Sequence, residues 1–400
     1  MSTTAIVAIS RHGAALARSL AASMGGQASL HLERRFQQPG EAAAPFDLPV
    51  RPLVQQLFKE HQRLVLFMPV GAAVRLLAAC LQDKHADPAV VCVDDAGRFA
   101  VSLLSGHLGG ADRLAKEVAE TLGATPVITS ASHVMGVPAV DLLGHELGWQ
   151  IEADPVQVTR ASAAVVNGAP VGLYQEAGEL DWLPPGQQLP DNITRYNSLQ
   201  ALFEASWAAA LIITDRQLPL AAGTGDCPVA WKDTALVVYR PRTLAVGMGC
   251  RRGVPMEELE ELLVTTFDSH GLATGSLKCI ATAELKQDEP GIRELAGKYG
   301  VPVQCYSAEE LNSVFGPQPA AKGGARGETP PGPTAYSMVH RLLGLWGVSE
   351  PAALLAAGSQ ELLVPRVKTR RATIAVARLA FGADRSQNAA ERLGPVGEPK

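Results

Sequence analysis

Residues 102–112 read Ser-Leu-Leu-Ser-Gly-His-Leu-Gly-Gly-Ala-Asp and join an extended apolar segment to an amphipathic one. β-branched and aromatic residues predict a strand over 98–104, preceded by the turn residues of 94–97. Between Asp112 and Leu122 apolar residues recur at helical spacing, and Gly123 supplies a C-terminal stop. The stretch therefore predicts a strand, a glycine-rich loop and a helix.

The glycine-rich loop contains Ser105, Gly106, His107, Gly109 and Gly110. Glycines let backbone amides approach a ligand closely, and the N-terminus of the following helix favours an anion, so the loop can hold a carboxylate. The same glycines are also typical of turns that need them only for backbone geometry, and a lone loop histidine is usually an ordinary polar residue. The spacing leaves both interpretations open. It matches neither a P-loop nor a G-x-G-x-x-G dinucleotide loop.

Strands alternate with helices along most of the chain, which predicts an α/β fold. We expect an N-terminal α/β domain at 1–150 and a C-terminal α/β domain at 242–380, each built in three layers. A smaller α/β middle region at 151–241 joins them in a structural or lid role. The Gly/Pro/Ala-rich stretch 316–333 predicts a mobile surface loop, and 381–400 a disordered tail. Ligands usually bind at strand C-termini in such sheets, and we expect His107 to lie in a loop of this kind.

A second glycine-containing loop, Gly-Met-Gly-Cys-Arg-Arg-Gly at 247–253, follows another predicted strand. Arg251 and Arg252 beside Gly249 make a better carboxylate site than a dinucleotide loop. A turn with two solvated arginines is the alternative. After the next predicted strand, Glu284 is a candidate acid or base and Lys286 a candidate cation.

Charge and cysteine spacing exclude several classes. The 35 Lys and Arg residues are dispersed and outnumbered by 40 Asp and Glu, so no nucleic-acid partner is expected. The six cysteines form no C-x-x-C pair, which argues against a zinc site or a disulfide framework. No apolar run is long enough for a membrane helix and the N-terminus does not resemble a signal peptide, so we expect a cytoplasmic protein.

Two sets of motifs follow one another along the chain. The first set comprises Arg75, Asp83-Lys84, 87–91, 95–98, 103–110 and 126–129. The second set comprises 247–253, 281–291, 307–311, 352–357 and 362–365. The first resembles the N-terminal part of the CbiG family, the cobalt-precorrin-5A hydrolases of anaerobic cobalamin biosynthesis, and the second resembles the C-terminal domain of that family. The middle region resembles the family's linker domain.

The resemblance implies a hydrolase of corrin metabolism. Its substrate would be a ring-contracted cobalt tetrapyrrole that carries many carboxylates and one δ-lactone. The reaction opens the lactone and releases acetaldehyde, which gives cobalt-precorrin-5B. The cobalt arrives with the substrate, so we expect no cofactor and no metal site of the protein itself. Neighbouring enzymes of the pathway and a second copy of the chain, as a homodimer, are further partners that the resemblance allows.

The roles of individual residues follow from local chemistry. His107 suits the general base because the ordinary pKa of histidine lies near neutrality. The amides around Gly109 and Gly110 suit the oxyanion, Ser105 is a less favoured nucleophile, and Glu284 is a second acid or base. Asp112 either caps the helix or orients His107. For the substrate carboxylates the candidate cations are Arg75, Arg98, Arg251, Arg252, Lys286, Arg366 and Lys368, the last two near a predicted hairpin tip.

Two other functions remain open at this point. The C-terminal domain alone resembles a standalone tetrapyrrole-binding protein, so the chain can also be a non-catalytic protein that binds or channels corrin intermediates. A nucleotide-binding transferase is a weaker alternative, because the phosphate-binding lysine and a ribose-binding acid are missing at convincing spacing. The loop at 105–112 favours the hydrolase, since a simple binding protein does not need it.

Overall fold

The computed structural model describes residues 4–82, 86–183, 187–218, 233–314 and 347–379. Contacts divide the chain into two compact units, 1–142 and 143–400. The mobile loop expected at 316–333 and the tail at 381–400 lie outside the described residues. In the described part of the chain, none of the helices combines the length and the apolar character that a bilayer span requires.

The first unit contains a seven-stranded sheet in the order β3-β2-β1-β4-β5-β6-β7. Its strands are β1 (Thr4–Ala8), β2 (Ala28–Glu33), β3 (Ala44–Phe46), β4 (Arg63–Phe67), β5 (Ala89–Val93), β6 (Phe99–Leu104) and β7 (Thr125–Val127). Its helices are α1 (Arg11–Met24), α2 (Arg51–Glu60), α3 (Val70–Leu77), α4 (Ala111–Leu122) and α5 (Ala131–Met135).

Helices cover both faces of this sheet. Successive residues of a strand point to opposite faces, so Ile6 of β1 joins one apolar cluster and Val7 the other. Leu20 of α1 and Leu114 of α4 pack on the side of Ile6. Helices α2 and α3 pack on the side of Val7, for example through Leu57. The three-layer arrangement expected of the N-terminal region is therefore present.

The β5–β6 hairpin changes the position of the glycine-rich loop. Strands β1, β2, β4 and β5 are parallel, whereas β6 runs antiparallel to β5, with Val90 opposite Leu104. The loop that follows β6 therefore lies at the edge where β5 begins, away from the carboxyl ends of β1, β4 and β5. This corrects the expectation for His107. It follows the end of its own strand, but that strand runs against the parallel ones, so the usual rule for ligand position does not apply to it.

A five-stranded sheet forms the middle region, in the order β10-β9-β11-β12-β8. Its elements are β8 (Gln150–Glu152), α6 (Pro155–Val166), β9 (Val171–Gln175), β10 (Ile193–Tyr196), α7 (Leu199–Phe203), β11 (Ala209–Ile213) and β12 (Ala235–Arg240). Before β8, the segment 139–147 contains two short 3-10 turns, Val140–Leu142 and His145–Leu147, and no α-helix. Gly144 separates them at φ 69°, and a Cβ there would lie 2.1 Å from Trp149.

The C-terminal region contains another five-stranded sheet, in the order β15-β14-β13-β17-β16. Its strands are β13 (Leu244–Cys250), β14 (Leu277–Ala283), β15 (Val303–Tyr306), β16 (Leu362–Lys368) and β17 (Ala372–Arg378). Its helices are α8 (Met256–Ser269), α9 (Pro290–Lys298), α10 (Ala308–Ser313) and α11 (Ser349–Ala357). Leu263 of α8 packs with Val246 on one face, and Ala353 of α11 packs with Ala245 on the other. The predicted α/β fold class is confirmed.

A buried ion pair joins the middle sheet to the C-terminal sheet. Asp215 follows β11 and is fully buried. Its carboxylate accepts hydrogen bonds from Nε (2.7 Å) and Nη2 (2.6 Å) of Arg378 in β17. The Thr243 hydroxyl donates a third, at 2.7 Å. Among the two roles considered for the middle region, these contacts favour the structural one, because a lid would have to break them.

Removing the Asp215 carboxylate should destabilise the second unit. We expect Asp215→Ala to lower its free energy of unfolding by about 3 kcal/mol, since a hydrogen-bonded charge loses its partner. This value is at the lower end of the range for removing one partner of a buried ion pair, because the Arg378 side chain is 28% exposed. Urea unfolding would measure the change. The control is Glu260→Ala, which removes the exposed ion pair with Lys298. Equal shifts for both variants would contradict the prediction.

Candidate active site

The glycine-rich loop satisfies the start of α4 with its own carbonyl groups. The carbonyl of Ser105 accepts from the Ala111 amide and that of Gly106 accepts from the Asp112 amide, both at 3.1 Å. The Gly110 amide donates to the His107 carbonyl at 3.0 Å. These amides are therefore used inside the loop. Of the two amides suggested for an oxyanion, only that of Gly109 has no hydrogen-bond partner among the described residues.

Close packing explains two of the loop glycines. A Cβ on Gly109 would lie 2.3 Å from Cβ and 2.8 Å from the carbonyl oxygen of Ser105. A Cβ on Gly106 would lie 2.7 Å from Oδ1 of Asp112. Gly110 has φ 83° as the N-cap of α4, a conformation that favours glycine. The backbone geometry thus accounts for these residues, and their contact with substrate stays a prediction.

His107 has a polar side chain beside each ring nitrogen. Nδ1 lies 3.2 Å from Oδ1 of Asp141, and Nε2 lies 3.1 Å from Oγ of Ser132. A carboxylate at Nδ1 favours the neutral tautomer with its proton on Nδ1, which leaves Nε2 to accept a hydrogen bond from the Ser132 hydroxyl. The imidazole is therefore oriented as a base whose Nε2 lone pair faces a hydroxyl group.

The sequence analysis missed Asp141 and Ser132. They lie 34 and 25 residues from His107 along the chain. Ser132 belongs to the short helix α5, and Asp141 to the 3-10 turn Val140–Leu142. No local spacing connects these positions to the loop. Only the packing of the segment after β7 against the loop brings the three side chains together.

Ser105 and Asp112 have other partners than those proposed for them. The Ser105 hydroxyl donates to the Asp87 carbonyl at 2.9 Å. Asp112 accepts from the hydroxyls of Ser102 at 2.6 Å and Ser130 at 3.0 Å. Asp112 is the second residue of α4, and Gly110 holds the cap position. It therefore neither caps the helix nor orients His107; instead it ties the loop to β6 and to the start of α5.

Two candidate cations of the first unit have partners outside the loop. Arg98 precedes β6, and six strand residues at about 3.3 Å each separate it from the loop by roughly 20 Å. It pairs with Asp94 at 3.5 Å and stacks over the Phe99 ring. Arg75 lies on α3 and donates to the Gly71 carbonyl of its own helix at 3.1 Å. The structure gives neither residue a contact with His107.

Most of the C-terminal candidates share one edge of their sheet. The carboxyl ends of the parallel strands β13 and β14 lie there together with the tip of the antiparallel β16–β17 hairpin. The Arg251 amide donates to the Arg371 carbonyl at 2.8 Å, which fixes the hairpin tip beside the loop after β13. We call this edge the basic rim. Its charged members from the candidate set are Arg251, Arg252, Glu284, Lys286 and Lys368.

Two further candidates, Arg366 and Gly249, lie within the strands of the same sheet. Arg366 and Lys368 belong to β16 itself, so the hairpin tip expected from the sequence is shorter and spans 369–371. The Arg366 amide donates to Glu350 at 3.2 Å. Gly249 lies where a Cβ would be 2.9 Å from Oγ1 of Thr373. Close packing therefore explains Gly249 without a ligand.

A buried carboxylate neutralises part of the basic rim. Glu289 is 6% exposed, and Lys286 lies 3.3 Å from its Oε2. Burial raises the pKa of Glu289, but the Gly253 amide together with the charges of Lys286 and Arg252 outweighs this effect and holds the pKa below its ordinary value. Lys286 is thus paired, whereas Arg251 and Arg252 are exposed to solvent. Leu285, between Glu284 and Lys286, is 62% exposed.

Three family models match consecutive parts of the chain. They describe the N-terminal part of cobalamin synthesis protein G at 52–133, the cobalamin biosynthesis central region at 138–241, and the C-terminus of cobalamin synthesis protein G at 244–377. The chain belongs to the CbiG family. The resemblance inferred from the motifs is therefore confirmed.

Two curated relatives match over nearly the whole length of this chain, and a third matches over 34% of it. A cobalt-precorrin-5A hydrolase of Priestia megaterium is 38% identical over 94% of this chain and 95% of the relative. A cobalt-precorrin-5A hydrolase of Salmonella typhimurium is 31% identical over 90% of this chain and 93% of the relative. Protein CobE of a Sinorhizobium species is 31% identical over 34% of this chain and 79% of the relative.

The CbiG regions divide the residues around His107. His107 and Ser132 lie within the N-terminal match, whereas Asp141 lies within the central match. All three nevertheless belong to the first compact unit, which extends to Leu142. The contact thus crosses the boundary between two CbiG regions. The domain limits at 150, 241 and 380 stay predictions.

A methyl group at Gly109 should disturb the loop even without a ligand. We expect Gly109→Ala to lower the free energy of unfolding of the first unit by about 1–3 kcal/mol, because Ser105 must move away from the new Cβ. Urea unfolding measures the change. Gly297→Ala in α9 is the control, since nothing lies within 4 Å of its Cβ, and it should be neutral or slightly stabilising. A neutral Gly109→Ala would show that the loop tolerates the side chain.

Proposed function

We propose that this chain is a cobalt-precorrin-5A hydrolase. It opens the δ-lactone of the ring-contracted cobalt tetrapyrrole and releases acetaldehyde, which yields cobalt-precorrin-5B. The observation that carries the proposal is the match to the Priestia megaterium hydrolase over 94% of this chain and 95% of that protein. A match of this extent includes both the loop that contains His107 and the basic rim.

The arrangement around His107 supports base catalysis. Lactone hydrolysis needs a group that removes a proton from the attacking hydroxyl and returns it to the departing oxygen. Nε2 of His107 can perform both transfers, and Asp141 stabilises the imidazolium that forms between them. Deprotonation of the freed alcohol then allows the carbon–carbon bond to break. The two electrons of this bond remain on the macrocycle, which takes up a proton as acetaldehyde leaves.

The basic rim supports binding of an anionic macrocycle. Guanidinium groups pair bidentately with carboxylates, and Arg251 and Arg252 are exposed for this purpose. The apolar side chain of Leu285, 62% exposed, lies on the same edge and suits the flat face of the ring. We propose no cofactor, because the cobalt is part of the substrate. The cytoplasmic location, a homodimer and contacts with neighbouring pathway enzymes stay predictions.

A second candidate is a non-catalytic protein that binds or channels corrin intermediates. The basic rim favours it, because the rim lies wholly within the second unit and does not include His107. A binding protein, however, has no need for a histidine that is held by a carboxylate on one nitrogen and a hydroxyl on the other. We therefore place the hydrolase first.

Anaerobic incubation with cobalt-precorrin-5A tests the function directly. We expect the wild type to release acetaldehyde, and we expect His107→Ala and Asp141→Asn to lower kcat by on the order of 10²-fold or more, because the base or its orienting charge is lost. Trapped acetaldehyde and the product mass are the measurements. His270→Ala is the control, since its ring bonds to Thr266 within α8. If wild type binds the substrate without releasing acetaldehyde, the second candidate replaces the first.

Loss of a rim arginine should weaken binding more than turnover. We expect Arg252→Gln to raise KM by about tenfold with kcat little changed, because a carboxylate partner is lost equally in substrate and transition state. Lys278→Gln is a charge-matched control, as Lys278 is exposed near the opposite end of β14. Steady-state kinetics of both variants measures the effect. An unchanged KM for Arg252→Gln would remove this residue from the binding surface.

A further inference from the structure

We propose that Ser132 is the nucleophile that opens the lactone, with His107 as its base and Asp141 as the residue that orients His107. This inference rests on the proposed function and adds a covalent acyl-enzyme to it. Oγ of Ser132 lies 3.1 Å from Nε2 of His107, and Nδ1 of His107 lies 3.2 Å from Oδ1 of Asp141. Both distances lie within the hydrogen-bond reach that such a nucleophile, base and orienting acid require.

The order of the three residues along the chain is compatible with a catalytic triad. They occur as histidine, serine and aspartate, at positions 107, 132 and 141. Triads of this chemistry occur on unrelated folds in different orders, so geometry and role identify them. The carboxylate faces Nδ1 and the hydroxyl faces Nε2, which is the arrangement that lets a neutral imidazole take the proton of the serine.

Ser132 also differs from other helical serines of this protein. Ser162 and Ser269 donate to carbonyls four residues earlier in their own helices, at 2.8 and 2.7 Å. A buried hydroxyl needs one such partner and nothing more. Ser132 is buried, with 8% exposure, and its hydroxyl instead contacts a histidine 25 residues away. A carboxylate in turn orients that histidine. A serine with only a structural role does not need an oriented histidine as its partner.

The surface beside Ser132 suits a flat macrocycle. The His107 side chain is 28% exposed, so the proton-transfer group reaches solvent. On the same short helix, Val134 is 67% and Met135 is 60% exposed. Val134 and Met135 are adjacent in the chain, so together they expose apolar surface close to Ser132. They can support the apolar face of the ring while its lactone carbonyl is next to Ser132.

Water is the one reactant besides the lactone that this acyl-enzyme route consumes. Oγ of Ser132 bonds to the lactone carbonyl carbon as its proton passes to Nε2 of His107. The tetrahedral intermediate collapses, the ring carbon–oxygen bond breaks, and Nε2 returns the proton to the departing alkoxide. Water then attacks the ester while Nε2 accepts its proton, and Ser132 leaves with that proton restored. The products are a free carboxylic acid and the alcohol from which acetaldehyde departs.

The acyl-enzyme can be detected by mass. Because a lactone has no separate leaving group, the adduct carries the whole substrate, or the substrate less one acetaldehyde if fragmentation comes first. We expect acid-quenched single turnovers of the wild type to contain this adduct on the peptide with Ser132. Hydroxylamine added during turnover should yield a hydroxamate faster than it does with the lactone in the absence of enzyme. Ser132→Ala should form no adduct, should give hydroxamate only at the enzyme-free rate, and should lose activity on the order of 10³-fold or more.

Ser23→Ala in α1 is the matched control, because its hydroxyl donates to the Leu20 carbonyl of its own helix at 2.8 Å and does not contact the loop that contains His107. It should keep the adduct, and Ser132→Cys should form a thioester of the same composition if the site is intact. Acetaldehyde release by the wild type without adduct at any quench time, and without hydroxamate above the enzyme-free rate, would overturn the proposal for Ser132 and leave the hydrolase function standing. Absence of both acetaldehyde and lactone opening in the wild type would instead refute the function itself.

Discussion

The antiparallel pairing of β5 and β6 is the constraint on which the candidate active site depends. It reverses the chain inside an otherwise parallel sheet and brings the loop after β6 to the edge where β5 begins. There the Ser105 hydroxyl bonds to the backbone just before β5, and Asp112 bonds to Ser130 at the start of α5. These two contacts fix the segment that contains His107 between neighbours distant in the chain.

Periodicity and turn residues predicted the regular elements well. The strand predicted over 98–104 is β6 (Phe99–Leu104), and the helix predicted from Asp112 to Leu122 is α4 (Ala111–Leu122). The direction of each strand relative to its neighbours in the sheet was harder to predict. A pattern of apolar residues identifies a strand, but it does not say which edge of the sheet the following loop reaches. The prediction that His107 lies at the carboxyl ends of the parallel strands was wrong for this reason.

The partners of His107 show a second limit of sequence analysis. Motif spacing is informative where neighbouring residues share one loop, as Arg251 and Arg252 do. Ser132 and Asp141 contact His107 from elements 25 and 34 residues away, and neither stands in a distinctive motif. The glycines of the loop, which drew attention first, have local structural reasons, namely close packing at Gly106 and Gly109 and a positive φ at Gly110. The side chains beside His107 depend instead on the packing of the segment after β7.

The Asp215–Arg378 pair bears on how proteins of this kind can evolve. Its members are 163 residues apart in the chain and come from the middle and the C-terminal sheets. Suppose that recombination between related genes exchanged only one of the two regions. The hybrid protein would then have either the carboxylate or the guanidinium between the two sheets without its partner. Recombination should therefore be tolerated when both regions are inherited together. The pair thus couples two sheets that separate family models describe.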